Sequence, residues 1–271
     1  IRFSRQGKVH SSSLLAGIAQ KEPNREDLEA GLTSLPKPEK LYDMEWCEQL
    51  RLTSSLSFRM TTYLMYYTNQ LVLTGKINDV GAYTRSNVPR SYRAGIEAEG
   101  AWHPLAFVDL KANIALSRNK IPTFTEYIDD YDQGIQRVVV HHQTDISFSP
   151  AVISTIQGNL YPFHTTSHKG LRHLAVNYQH KFVGKQYLDN TQDRDRSLHA
   201  FSTGDLTLQC PLMCKGMKSL SLRAGIRNIW NTLYEPSGYT YSYYASGNLS
   251  TQNYYYPQAG RRWVAGLVAS F

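Results

Sequence analysis

The final eleven residues of the chain, 261–271, alternate between two kinds of side chain, and this alternation restricts the folds open to the whole sequence. Along a β-strand, side chains point to opposite faces at every second position. An ordinary edge strand would show this period, but a membrane β-barrel also places aromatic residues at its interfaces, as at the last position here. The larger residues share one face and the smaller or more polar ones the other: Trp263, Ala265, Leu267, Ala269 and Phe271 against Arg262, Val264, Gly266, Val268 and Ser270.

The same alternation recurs in windows near residues 42–51, 56–67, 106–119 and 219–227. In each window one face is mostly apolar, and the other carries charged, amide or hydroxyl side chains. Such a second face contacts either bulk water, as in a one-sided sheet, or a polar barrel lumen.

The lengths of the connections favour the barrel. Short turns on one rim and long loops on the other are typical of outer-membrane barrels. Short connections are predicted near 53–54, 103–104, 163–170 and 211–216, and long ones near 21–40, 75–88, 119–147, 188–197 and 233–260. The final strand then runs towards the short-turn, periplasmic rim. About ten strands result, near 9–20, 39–52, 54–72, 88–102, 105–120, 147–162, 171–187, 198–210, 218–232 and 261–271.

The composition agrees with a barrel and excludes some other classes. The chain has 19 Tyr, 9 Phe and 4 Trp, yet its mean hydropathy is −0.42. It contains no apolar run of the 18 or so residues that a membrane-spanning helix needs. The net charge of +7 is spread along the chain without a basic block or a nucleic-acid motif, so no nucleic-acid partner is predicted.

The cysteines and the first residues indicate no specific chemistry. Cys47, Cys210 and Cys214 lack metal-ligand spacing, and neither a metal nor a cofactor is predicted. Cys210 and Cys214 flank a predicted turn, where a local disulfide in an oxidising compartment and incidental thiols are the two interpretations. The first residues show neither Met nor a signal peptide, which suggests a processed or truncated start.

Several segments resemble TonB-dependent outer-membrane receptors of the Bacteroidetes type. The segment Asn228-Ile-Trp-Asn231, followed by Tyr234, is similar to the Asn-Leu-Phe-Asn signature of the family's penultimate strand. The end of the chain, Tyr256-Pro-Gln-Ala-Gly-Arg261 with the terminal Phe, resembles its last strand. The matches follow family order from about residue 12 to the end, and the others cover residues 69–87, 115–121, 144–150 and 182–191.

The resemblance implies a 22-stranded barrel with an N-terminal plug. Such a receptor imports a scarce ligand, most often an iron–siderophore complex, across the cell outer membrane with energy from the TonB–ExbB–ExbD complex. Here about ten strands are predicted, with no plug and no TonB box, and the open edges of a half-barrel would leave backbone groups unsatisfied in lipid. Residues 1–271 are therefore interpreted as the C-terminal portion of a larger receptor barrel. Haem, cobalamin, glycans or peptides, with a surface lipoprotein as partner, stay open as ligands.

Candidate ligand-binding residues lie in the long loops. The last loop is rich in tyrosine, which combines a large ring with a phenolic donor; Tyr239, Tyr241 and Tyr243 are candidates, whereas Tyr254–Tyr256 are assigned mainly to the interfacial girdle. His141 is a further candidate, although a solvent-exposed role is the simpler alternative. The basic residues near the loop rim suit either an anionic complex or lipid headgroups: Arg85, Arg118, Arg194, Arg196, Arg261 and Lys185.

Two further hypotheses compete with the receptor. A self-contained ten-stranded barrel would be an omptin-like hydrolase or a small pore, and Asp129, Asp130 and Asp132 with His141 would be its acid and base. A soluble, secreted β-sandwich that binds glycans through its tyrosine loops is the third interpretation. No nucleophile context or catalytic motif supports an enzyme, and none is predicted.

Overall fold

A computed structural model describes residues 1–30, 35–77, 81–168, 171–212 and 218–270. A six-residue helix, α1 (Arg25–Ala30), and a single 3₁₀ turn at Leu171–His173 accompany the strands. Among the described residues, no helix has the length and apolar character needed to cross a membrane. The strands are β1 (Arg2–Gln6), β2 (His10–Lys21), β3 (Glu39–Arg51), β4 (Leu56–Ile77), β5 (Tyr83–Leu105), β6 (Val108–Asp130), β7 (Ile135–Asp145), β8 (Val152–Leu160), β9 (Ala175–Val183), β10 (Gln186–Tyr187), β11 (Ser197–Leu198), β12 (Phe201–Leu212), β13 (Ser219–Arg227), β14 (Ser237–Ala245), β15 (Asn248–Tyr256) and β16 (Arg262–Ser270).

The ten predicted strands are confirmed as the body of one sheet. They follow the order β2-β3-β4-β5-β6-β8-β9-β12-β13-β16, and each neighbouring pair is antiparallel. An additional strand, β1, pairs with β2 at the start of the order. Its alternation was too short to be recognised in the sequence.

The two faces of this sheet differ as the alternation predicts, and the apolar face is exposed. Leu64, Ile156 and Leu267 lie on it with 52%, 55% and 67% of their surfaces exposed. On the opposite face, Arg59 pairs with Glu99 at 3.9 Å. A water-soluble sheet would cover its apolar face, whereas a barrel wall turns it towards lipid. This arrangement is therefore that of a membrane-spanning sheet.

Aromatic residues mark both ends of the exposed apolar face. Tyr42 and Tyr66 lie side by side near the long-loop end, with ring centroids 6.4 Å apart. On β5, Tyr92 and Trp102 lie on this face at opposite ends of the sheet. At roughly 3.3 Å per residue and a strand tilt of about 40°, their separation corresponds to an apolar band about 25 Å tall, as in membrane barrels.

The rims also follow the prediction, with one local correction. Turns at 7–9 and 52–55 and the segments 161–168 and 171–174 lie at the short rim, and the long connections lie at the other. The predicted turn at 211–216 lies largely outside the described residues. The prediction of a turn at His103-Pro104 was wrong, because β5 continues to Leu105 and the turn is Ala106-Phe107. Pro104 has no N–H for the ladder, so the strand shifts register there instead of ending. His103 remains fixed, with its Nδ1 2.7 Å from Asp109 Oδ1.

Three of the predicted long loops contain strands. The hairpin β4–β5 continues to Ile77 and Tyr83, β6 and β7 pair as far as Asp130 and Ile135, and β14 pairs with β15. Above the membrane the two faces of a strand meet protein and water instead of lipid and lumen, so the simple apolar–polar alternation is lost. The prediction of loops in these regions was wrong for that reason.

The Asn-Ile-Trp-Asn segment forms a corner at the end of β13. Asn228 adopts a φ of 52°, which turns the chain out of the strand. Its amide donates from Nδ2 to the Thr232 carbonyl at 2.8 Å, and its Oδ1 accepts from the Thr232 N–H at 3.0 Å. Asn231, with a φ of 54°, accepts the Arg261 N–H at 2.8 Å and so joins the corner to the start of β16.

Replacing Asn228 with alanine should lower the free energy of unfolding by about 2–3 kcal/mol, because it combines left-handed strain with two lost hydrogen bonds. Asn228→Gly tolerates the positive φ and loses only the hydrogen bonds, so it should cost about half as much. Urea unfolding in detergent, followed by heat-modifiable gel migration, measures both variants. Equal loss in the two would exclude the strain contribution, and no loss in either would exclude the corner's role.

Candidate functional site

The loop side of the sheet contains a small apolar core, unlike the spanning region. Five buried side chains from β4, β5, β6 and the segment after β7 form it: Val72, Val88, Ile121, Phe124 and Ile146. Burying such side chains favours one fixed arrangement of the loops that carry them. The loops therefore rest on a common packed base.

Asn190 joins three of these loops through its side chain. It is completely buried, and its Nδ2 donates to the Leu73 carbonyl at 2.6 Å. Its Oδ1 accepts the Ser147 N–H at 2.9 Å. Because backbone groups buried without partners are costly, this one amide holds the β4–β5 hairpin and the segment after β7 against the β9–β12 loop.

A buried charge cluster lies beside Asn190. The Arg196 side chain is only 5% exposed, and its Nη1 lies 2.5 Å from Glu126 Oε1 and 2.9 Å from Asp189 Oδ2. Burial lowers the pKa of the Arg196 guanidinium, but the charges of Asp189 and Glu126 outweigh burial and raise it overall. Asp193 lies 3.7 Å from the guanidinium Nε. The charge of Arg196 is thus balanced by carboxylates inside the packed loops and is not exposed at the rim.

His141 contacts the same cluster from β7. Its Nε2 lies 2.8 Å from the second carboxylate oxygen of Glu126, and its ring lies 6.3 Å from that of Phe124. The neighbouring His142 occupies the opposite face of the strand and is exposed. The proposed ligand-binding role of His141 stays a prediction, and its side chain contacts Glu126.

The tyrosine candidates form one continuous stack on the β14–β15 hairpin. Cross-strand pairing places Tyr239 opposite Tyr254, with their rings nearly parallel and 4.8 Å apart. Tyr241 extends the row to Tyr254 at 6.2 Å and to Tyr243 at 5.9 Å. We name this row the tyrosine ladder. Tyr254 therefore belongs with the ladder and not, as the sequence suggested, with the interfacial girdle.

Three hydroxyl groups of the ladder are linked through the Gln252 amide. Tyr241 and Tyr254 both donate to Gln252 Oε1, at 2.8 and 2.7 Å, and Gln252 Nε2 donates to the Tyr243 hydroxyl at 3.1 Å. The hydrogen bond with Tyr254, followed by burial, raises the pKa of the Tyr241 phenol. With 37% of its surface exposed, Tyr241 offers a ring for stacking while its hydroxyl stays protonated.

The basic candidates divide into those near the hairpin and one on the outer face. Arg194 is exposed and precedes Asp195, whose carbonyl accepts from Asn253 Nδ2 at 2.8 Å, so it lies beside β15. Arg85 pairs with Asp27 at 3.1 Å and is 31% exposed. It lies two residues from Tyr83, which contacts the hairpin. Arg118 shares the face of Leu116 and is exposed there, a position suited to lipid headgroups.

The tip of the β6–β7 hairpin contains a second ion pair, which the sequence did not reveal. Asp130 is 1% exposed, and its Oδ2 accepts from Arg137 Nε at 2.7 Å. Burial raises the pKa of the Asp130 carboxyl, but hydrogen bonds from Arg137 and from the Gln133 and Asp132 N–H groups lower it below its ordinary 3.8. The sequence showed only an acidic cluster, because the pairing of Asp130 with Arg137 depends on hairpin register.

This pKa gives a pH prediction. A carboxyl with a lowered folded-state pKa stabilises the fold above its unfolded pKa, and the stabilisation is lost as the pH falls through the folded pKa. Amide exchange of residues 131–134 should therefore rise when the pH falls below 3.8. Hydrogen exchange corrected for intrinsic pH dependence measures this. Asp130→Asn should exchange faster already at neutral pH and change little in acid; an acid response equal to the unsubstituted protein's would assign the effect elsewhere.

The polar face of the sheet carries charged and amide side chains. Lys111 and Asn113 occupy it on β6, and Arg223 occupies it on β13. Arg227, at the end of β13, pairs with Asp205 at 2.6 Å. Near the short rim, a cavity of 770 Å³ opens between β1, β2, β3 and β4, and its charged lining includes Arg2, Arg5, Glu45, Arg51, Arg59 and Glu99.

No protein-family model matches this sequence, and no curated protein is significantly similar to it. Solved structures with the same fold exist. The chain aligns over 100% of its length with 38% of a structure described as the copper transporter OprC, at 14% identity and a TM-score of 0.66. It aligns over 100% with 37% of the ferric yersiniabactin uptake receptor FyuA from Yersinia pestis, at 14% identity and 0.64. It also aligns over 100% of its length with 39% of a mutant ferric enterobactin receptor, PfeA from Pseudomonas aeruginosa. The identity is 16% and the TM-score 0.62.

These similarities establish the fold. The chain spans less than two fifths of the length of those structures. Together with the strand order and the apolar exposed face, they show part of a transmembrane antiparallel β-barrel. The predicted fold class is confirmed. The sequence identities are too low to assign a ligand to this chain from these structures.

Proposed function

We propose that this chain is the C-terminal, ten-stranded portion of a TonB-dependent receptor of the Bacteroidetes type, located in the cell outer membrane, and that the receptor imports a ferric siderophore. The observation that carries the proposal is the sheet with an exposed apolar face and a charged opposite face. Only a barrel in lipid makes this arrangement stable, since its open edges must be closed by further strands. Structures with this fold include receptors for ferric siderophores.

The loop side supports capture of a compact, anionic, ring-bearing ligand. The tyrosine ladder offers exposed rings, and Arg194 and Arg85 lie close to its hairpin. Stacking on aromatic rings and long-range attraction by arginine suit a ferric complex that carries negative charge. Arg59, Lys111 and Arg223 would then line the inner path towards the plug.

The partners follow from the proposed transport. Energy would come from TonB–ExbB–ExbD through strand addition to a segment of the receptor beyond residues 1–271. Outer-membrane lipid covers the apolar face, and a surface lipoprotein would assist if the ligand were a glycan or peptide. In the described part of the chain, β1 and β16 do not pair with each other, so the structure lends no support to a closed ten-stranded hydrolase or pore.

Uptake of radioactive iron by cells with and without the gene tests the proposal. Loss of uptake for one class of ferric siderophore, restored by the intact gene and abolished by removing TonB, would support it. The intact mass of the native protein in the outer-membrane fraction completes the test. A mass near 30.8 kDa, with iron uptake unchanged in the deletion strain, would contradict it.

A further inference from the structure

The β14–β15 hairpin does not remain beside the strands from which it arises. It leaves β13 and returns to β16, but β14 pairs in parallel with β6, through Tyr243 opposite Asp129 and Tyr244 opposite Asp130. Three strands, β8, β9 and β12, separate β6 from β13 in the sheet order. The hairpin therefore crosses over the loops of those strands to reach β6.

Along the crossing the hairpin lies against the loops beneath it: Gly238, Thr240 and Ser242 on one side of β14 are buried, and Gly238 lies against the Leu188 side chain. The Tyr83 hydroxyl donates to the Gly238 carbonyl at 2.9 Å, and Asn253 Nδ2 donates to the Asp195 carbonyl at 2.8 Å. At the base, the Gln258 N–H donates to the Tyr234 carbonyl at 3.0 Å and brings the two connecting segments together. The hairpin is paired internally over nine residue pairs, so its own structure does not depend on these contacts.

A further attachment is at the tip. Ser246 and Gly247, with φ of 52° and 76°, form the two central residues of the turn, and positive φ at both is typical of a type I′ turn. The N–H groups of both residues donate to Asp132, to Oδ1 and Oδ2 respectively, each at 2.8 Å. Two converging N–H groups form a favourable site for a carboxylate. The Asp132 side chain at the tip of the β6–β7 hairpin thus binds the turn of the β14–β15 hairpin.

Further contacts reinforce this attachment, and one of them pairs the rings of Tyr131 and Tyr243, with centroids 5.5 Å apart. The Tyr131 N–H donates to the Tyr244 carbonyl at 3.0 Å. The Arg137 guanidinium lies 3.9 Å from the centroid of the Tyr244 ring, at a distance typical of cation–π attraction. Asp132, Ser246 and Gly247 are all exposed, so water can replace their hydrogen bonds. The buried Arg196 cluster, in contrast, cannot be released without leaving charges unpaired.

We propose that the β14–β15 hairpin is a strap that closes over the β9–β12 loop, and that Asp132 is its latch. Release of Asp132 from the Ser246–Gly247 turn lets the strap swing about its base near Tyr234 and Gln258 and carries the tyrosine ladder with it. The loops joined by Asn190 and Arg196 stay in place. The latch rests on the contacts alone, whereas its part in ligand entry rests on the proposed transport function.

Distance measurement between spin labels tests the latch in the full-length protein in lipid nanodiscs. Labels at Val138→Cys and Leu249→Cys occupy exposed positions on the two hairpins, with the native cysteines replaced by serine. The unsubstituted latch should give one short distance. In Asp132→Ala the fraction of molecules with a longer distance should rise at least about tenfold, because two charge-assisted hydrogen bonds are lost. Asp129→Ala is the control, since Asp129 Oδ1 accepts from Gln136 Nε2 within the same hairpin.

An identical single short distance in Asp132→Ala and in the control would overturn the latch. The role in transport is tested separately by a disulfide between Asp132→Cys and Ser246→Cys, which should lower ferric siderophore uptake several-fold until a reductant restores it. Normal uptake by the cross-linked protein would overturn that role and leave the latch intact. Absence of uptake in the uncross-linked protein would instead contradict the transport function, with the distances still deciding the latch.

Discussion

Replacing Arg196 with alanine is expected to destabilise the loop body by about 3–5 kcal/mol, the usual cost of leaving buried charges without their partner. The side chains of Glu126 and Asp189 are 13% and 5% exposed and both depend on the Arg196 guanidinium. Removing the arginine leaves two buried carboxylates close together. They must then take up protons, gain access to water or move apart, and each of these loosens the β9–β12 loop.

Protease cleavage within residues 184–200 and thermal unfolding in detergent measure this effect. Arg194→Ala is the matched control, because it removes the same side chain two residues away from an exposed position. The control should stay within about 0.5 kcal/mol of the unsubstituted protein, as exposed substitutions usually do. Equal resistance to protease in both variants would show that the buried cluster does not hold the loops.

Replacing Ile96 with arginine is expected to cost about 2–4 kcal/mol and to impair assembly into the membrane, because it places a charge on the lipid face near the bilayer midplane. Ile96 lies on the exposed apolar face, 45% exposed, between Tyr92 and Trp102 along β5. On the neighbouring strands it lies opposite Thr62 and Leu116.

Thr61→Arg provides the matched control, since Thr61 lies opposite Glu97 on the polar face, one position away. An arginine there meets a carboxylate and water in place of lipid, so the variant should assemble normally. Folding yield into lipid vesicles, scored by heat-modifiable migration, compares the two. If both variants assemble equally well, the exposed apolar face does not lie against lipid, and the membrane assignment fails with it.

The alternation of side chains was enough to predict the wall of the fold. Leu64 and Arg59 lie on opposite faces because strand geometry fixes the direction of every side chain, whatever the rest of the chain does. Strand count, antiparallel order and the division into short and long rims followed for the same reason. Pro104 interrupts the pattern, and the turn next to it was therefore predicted at the wrong position. Cys214 and Phe271 lie outside the described residues, and predictions for them stand as made.

The loop side shows what such periodicity cannot predict. The sequence marked Tyr239, Tyr241 and Tyr243 as candidates, and strand pairing alone placed Tyr254 beside them in one ladder. Arg196 was read as a rim charge, but its burial depends on Glu126, 70 residues away along the chain. His141 was predicted as a ligand candidate or a solvent-exposed residue, and its side chain contacts Glu126 on the neighbouring strand.

The sequence by itself therefore determined the spanning sheet, its two faces and its two rims, since these depend on the local period of two and on the spacing of turns. Only the tertiary structure decided how the loops combine. The latch joins Asp132 to Gly247, 115 residues away, and β14 reaches β6 across three intervening strands. Such contacts depend on chain crossing and hydrogen-bond geometry between distant segments, and no local pattern of side chains encodes them in a form that can be read along the chain.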